Sequence, residues 1–85
     1  MKKSKFEYVK IITFHGLTLQ SRADFTLLYN KNEHRLVYET YNESRNIYEY
    51  TEIYFENNKM KKKYLGGYKG ESIFSLKNNI VELWN

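Results

Sequence analysis

Hydrophobic and polar residues alternate along most of this 85-residue chain, with the two-residue period of half-buried β-strands. Phe6, Tyr8, Ile12 and Phe14 fall on one face of a first strand, with Lys10 interrupting the series. Val9 and Ile11 fall on the other face, so this strand is expected at a central or sandwiched position. Strands are predicted near residues 5–14, 17–20, 25–29, 34–41, 47–56, 59–65, 72–76 and 80–84. Ser21 to Asp24, Asn42 to Asn46, and the stretch Gly66-Gly67-Tyr68-Lys69-Gly70 are expected to connect them, the last as a flexible link needing positive φ.

Four two-residue turns give sensible cross-strand partners. A turn at Asn57-Asn58 sets Glu56 against Lys59, Phe55 against Met60, Ile53 against Lys62 and Glu52 against Lys63. A turn at Asn78-Asn79 sets Leu76 against Val81 and Phe74 against Leu83. At His15-Gly16, Phe14 meets Leu17 and Ile12 meets Leu19; at Lys31-Asn32, Leu27 meets Leu36 and Phe25 meets Tyr38. Asn and Gly tolerate the positive φ of such turns, and apolar or oppositely charged pairs each add roughly 0.2–1 kcal/mol.

Two segments also fit a helix. Ser21-Arg22-Ala23-Asp24 before Phe25-Thr26-Leu27-Leu28 has the form of a capped helix start, and Ile47, Tyr50 and Tyr54 fall at helical spacing. The aromatic and β-branched content of residues 47–55, followed by a well-registered hairpin, favours a strand there. The expected fold is therefore all-β over a single domain, residues 1–85, with room for one short helix near 21–29. It is a small antiparallel meander curled into a barrel or a two-layer sandwich.

A chain of this size buries only about 60–65% of its unfolded surface, so its stability is expected on the order of 5 kcal/mol. Cysteine is absent, which removes disulfides and thiolate metal sites and suits a reducing, cytoplasmic setting. The basic start Met1-Lys2-Lys3-Ser4-Lys5 is followed by no apolar run of signal-peptide or membrane-spanning length. The Lys/Asn/Tyr/Ile-heavy composition is what AT-rich coding DNA produces, as in low-GC bacteria and their phages. Charge is segregated: residues 1–38 carry +4, residues 39–56 carry −4 and residues 57–85 carry +4.

On the Asn57-Asn58 hairpin, Ile53, Phe55, Met60 and Tyr64 form the more apolar face and are expected to be the core side. The opposite face carries Tyr50, Glu52, Tyr54, Glu56, Lys59, Lys61 and Lys63 and is expected to point to solvent. Tyrosine gives a large amphipathic contact area at low entropic cost, so Tyr50, Tyr54, Lys59, Lys61 and Lys63 are the candidate partner-binding residues. The same lysines could hold phosphates while bases stack on the rings, but arginine, the usual reader of base edges, is scarce.

No catalytic or metal motif emerges. His15 and His34 fall in or beside turns without ligand spacing, the glycine stretch lacks the spacing of a phosphate loop, and no cofactor is indicated. Glu33-His34-Arg35-Leu36-Val37-Tyr38 resembles a strand of the small ribosome-dependent mRNA-cleaving toxins, in which the arginine contacts RNA. The resemblance covers those six residues alone. The opening amphipathic helices of that family are missing, and the chain ends Leu83-Trp84-Asn85 in place of a terminal His-Tyr pair.

The expected function is a non-enzymatic inhibitor or adaptor that binds a protein or a protein–nucleic-acid complex. The specific expectation is a phage or mobile-element protein blocking a host or defence factor. The alternative is a small β-barrel nucleic-acid-binding protein, and a nuclease using His34, Arg35 and a tyrosine is a third class. An exposed sheet edge would also allow a homodimer.

Overall fold

Asn57 and Asn58 both adopt left-handed backbone, with φ of 54° and 63°. That is the geometry of a two-residue hairpin turn whose twist matches the flanking strands. In the computed structural model, which describes residues 3–15, 22–69 and 79–84, this turn joins strands β4 (Ile47–Glu56) and β5 (Lys59–Tyr68). The predicted register holds pair for pair, from Glu56 opposite Lys59 to Glu52 opposite Lys63.

Among the described residues, strands β1 (Lys3–His15), β2 (Arg22–Asn30), β3 (Arg35–Asn42) and β6 (Ile80–Trp84) complete an all-antiparallel, six-stranded sheet in the order β5-β4-β3-β2-β1-β6. It curls into a half-barrel, with the last strand returning to pair with the first. No helix occurs among the described residues, so the capped-helix reading of residues 21–29 gives way to β2. The predicted strands at 17–20 and 72–76, and the pairs of Leu17, Leu19, Phe74 and Leu76, lie outside the described residues. The neighbour that β1 does show there is β2, with Ile12 opposite Phe25.

The β2–β3 and β3–β4 connections are longer than two residues and share one design. Asn30 Oδ1 accepts from the Glu33 amide at 2.9 Å, and Asn42 Oδ1 accepts from the Arg45 amide at 3.3 Å. Each loop then ends on a left-handed residue, His34 or Asn46, both with φ 54°. Asparagine closes such turns with its own side chain. The longer β2–β3 loop moves the expected register by two residues, so Leu27 faces Tyr38 and Tyr29 faces Leu36. An even shift leaves every side chain on its predicted face.

Two bulges decide which face each strand buries. Val9 is the extra residue between the pairs Tyr8–Leu28 and Lys10–Leu27. Phe6 and Tyr8 therefore share one face, while Lys10 and Ile12 pass to the other, which dissolves the predicted single row. Val9 and Ile11 are about half exposed, so β1 is central in the sheet but not sandwiched. Leu65 is the extra residue on β5, next to Gly66 at φ 124°. The glycine stretch thus begins as a bulged strand, where the sequence suggested a connector.

The core lines one face, called here the core face: Phe6, Leu28, Val37, Tyr50 and Leu83 are buried, with Tyr8, Tyr48, Leu65, Tyr68 and Val81 packed against them. At the end of that face near the β2–β3 loop, Arg35 forks onto Glu52, with Nε to Oε2 at 2.9 Å and Nη2 to Oε1 at 2.8 Å. Its Nη1 reaches Ser4 Oγ and Glu33 Oε1, both at 3.2 Å, and its guanidinium lies 5.3 Å from the Phe6 ring centre. Paired in this way, mainly through Glu52, the guanidinium is held above its ordinary pKa.

Candidate functional site

Pairing between β3 and β4 ends at Leu36–Ile53, while β4 and β5 continue to their turn. Tyr54 to Glu56 and Lys59 to Lys61 therefore form a two-stranded finger projecting past β3. A ribbon with no third strand beside it has little to cover its side chains, whatever their polarity. On the side away from the core face, here the open face, Phe55 is 74% exposed, its partner Met60 58% and Tyr64 56%. These three were the expected core; they are instead the most exposed large apolar groups on this hairpin.

The tyrosine row turns out the opposite way. Tyr50 lies on the core face opposite Glu39, is 1% exposed and donates a 2.7 Å hydrogen bond to Glu39 Oε2. Burial first, then the bond to Glu39, pushes the Tyr50 hydroxyl well above the ordinary tyrosine pKa. A ring so placed is unavailable to a partner, and Tyr50 is removed from the candidate contacts. Tyr54, at 36% exposure, remains accessible on the finger. Lys59, Lys61 and Lys63 are exposed on the Tyr54 side, away from Phe55 and Met60, and Lys61 binds Glu56 at 3.1 Å.

The acidic block offsets only Lys61 of these lysines. Glu39 is buried with Tyr50, Glu52 is held by Arg35, Glu49 contacts Arg45 and Asn42, and Glu56 bonds Lys61. Among the described residues, Lys59, Lys62 and Lys63 make no ion pair.

Beside the finger, the open face carries a groove of about 170 Å3. Phe25, Leu27, Tyr38 and Ile53 are its half-buried lining, Ile12 closes one side, and exposed Met60 and Lys62 stand at its rim. Phe25 meets Tyr38 edge to face at 5.3 Å between ring centres. All of these residues but Lys62 are apolar or aromatic strand positions in the sequence, but only the register across β1 to β5 brings them together.

Of the groups named for nuclease chemistry, His34 meets a tyrosine while Arg35 is turned to other partners. His34 is exposed and lies 3.3 Å from the Tyr29 hydroxyl, whereas Arg35 is engaged by Glu52, Glu33 and Ser4 on the core face. Among the described residues, no three His, Asp or Glu side chains are grouped to hold a metal ion. Comparison of the chain with family models, curated proteins and solved structures yields no match.

Proposed function

We propose that this is a non-enzymatic interaction protein, an inhibitor or adaptor, whose β4–β5 hairpin presents Phe55 and Met60 at its tip and Tyr64 on the same face to a protein partner. The observation that carries this reading is the exposed cross-strand pair Phe55–Met60 at the end of a projecting ribbon. Exposed apolar groups clustered on one face invite aggregation, and a chain that keeps them is best explained by their use in binding. Aromatic and methionine side chains are enriched at interface centres, where a few of them dominate affinity. Lys62 stands on the same face as this centre, while Lys59 and Lys63 project from the opposite side of the ribbon, and exposed cations of this kind act mainly on the rate of encounter. The AT-rich codon signature supports a phage or mobile-element origin, with a host or defence factor as the partner.

A second reading, nucleic-acid binding, is favoured by one observation: the neighbouring carboxylates are engaged within the fold, leaving unpaired lysines on β5. One experiment separates the two. Tagged wild-type protein and a Phe55→Ser/Met60→Ser variant are used for capture from nuclease-treated and untreated host lysates at low and moderate salt. The interface reading expects a defined partner with wild type, insensitive to nuclease and absent with the variant. Capture lost on nuclease treatment, or collapsing between about 50 and 200 mM salt, supports nucleic acid instead.

A further inference from the structure

The groove on the open face has a size and a charge that together select an occupant. An apolar cavity of about 150 Å3 admits a benzene-sized group. The 170 Å3 groove over Phe25, Leu27, Tyr38 and Ile53 therefore suits one aromatic or leucine-sized side chain. Lys62 is the single charged residue of its lining. Its Nζ lies 5.8 Å from the Tyr38 ring centre and has no carboxylate partner among the described residues.

We propose that this groove is the anchor pocket of the interface: it receives one large apolar side chain from an extended acidic segment of the partner, and a neighbouring carboxylate of that segment pairs with Lys62. The proposal rests on the interaction reading and names the partner chemistry that reading lacks. Charge decides against a second copy of this chain. Two copies meeting along β5 would set lysine against lysine, and of the acidic block Glu39 and Glu52 are engaged within each fold while exposed Glu56 is already paired with Lys61. Position decides against nucleic acid at this groove. Bases stacked on Phe55 and Tyr64 would place their phosphates on the open face, where the hairpin offers Lys62 and β1 adds Lys10, whereas Lys59, Lys61 and Lys63 project from the other side.

The test uses the full chain with its methyl groups observed by NMR, titrated with four probes. These are the peptide Asp-Glu-Leu-Phe-Glu-Asp, a version with lysines for its acids, a version with serines for Leu-Phe, and an oligothymidylate. The expected result is a saturable shift of the Ile12, Leu27, Ile53 and Met60 methyls with the first peptide only, in the millimolar range or tighter. Lys62→Gln weakens that binding about three- to fivefold, the size of a single partly exposed ion pair. Lys62→Glu abolishes it and transfers the response to the lysine peptide, whereas Lys63→Glu, on the opposite side, leaves it intact. Failure of the first peptide to saturate, indifference to Lys62→Glu, or equal shifts with oligothymidylate overturns the proposal. Capture lost with Phe55→Ser/Met60→Ser but retained with Lys62→Glu leaves the interface standing and removes the pocket. Capture indifferent to Phe55→Ser/Met60→Ser removes the interface itself.

Discussion

The Tyr50 hydroxyl lies 2.7 Å from the Glu39 carboxylate directly across β3 and β4, and both side chains are buried. A buried carboxylate is stable only with donors around it, so this tyrosine is both core filler and hydrogen-bond donor. Tyr50→Phe keeps the ring and removes the donor, and should lower stability by about 1–3 kcal/mol in urea unfolding. Tyr50→Ala, which also opens a cavity, should cost about 3–5 kcal/mol. Phe55→Ala, at 74% exposure, should cost under about 0.5 kcal/mol. The alternation pattern alone ranks Phe55 above Tyr50, so this pair of substitutions tests the face assignment directly.

The same contact sets an alkaline limit. The Tyr50 hydroxyl is raised above the ordinary value of 10.0 by burial and by Glu39. Above about pH 10 the unfolded chain releases this proton while the folded chain retains it, so stability falls with rising pH. Urea midpoints of wild type and Tyr50→Phe should converge as pH rises from about 8 to 11. A constant gap between the two curves would contradict the assignment.

Arg35 on β3 ties together β1, β4 and the β2–β3 loop through Ser4, Glu52 and Glu33, with the side chains of Arg35 and Glu52 only 16% and 13% exposed. Arg35→Lys keeps the charge but loses the planar fork, and should cost about 1–2 kcal/mol. Arg35→Met should cost more, about 2–4 kcal/mol at neutral pH, because Glu33 and Glu52 lose their shared cation. Comparing the two variants by thermal unfolding separates geometry from charge.

Backbone conformation at the finger tip is testable without touching the apolar pair. Asn58 sits at φ 63°, so Asn58→Gly should be neutral or stabilise by up to about 0.5 kcal/mol, and Asn58→Val should cost about 1–2 kcal/mol. Gly66→Ala should be similarly costly, because φ 124° is strained for any residue with a Cβ. Equal stabilities across the three variants would rule out the type of turn and bulge described.

Much of the backbone plan is legible in the chain itself. Residues 47–56 and 80–84 are strands with the predicted bounds, and the Asn57-Asn58 register follows from turn chemistry acting over neighbouring residues. These features depend on local interactions: positive φ at asparagine, a period of two, and pairing of residues only a few positions apart. The longer β2–β3 loop escaped because the Asn30 side chain, not a tight turn, closes it.

Which face of the hairpin would be buried was a different kind of question. Counting apolar residues on β4 and β5 favours the Phe55 and Met60 side, yet β3 places Val37 and Glu39 beside Glu52 and Tyr50, and the core follows Val37. The Val9 bulge, which no residue type in β1 announces, then sends Ile12 to the open face to help line the groove. The sequence by itself determined the described strands to within a few residues, the main turn and the supply of aromatic and charged groups, because those arise from short-range chemistry. Only the tertiary structure decided that Tyr50 is core, that Phe55 and Met60 are surface, and that Glu39 and Glu52 are engaged within the fold. Burial depends on what lies across the sheet and where neighbouring strands end, and both are set by contacts between residues far apart in the chain.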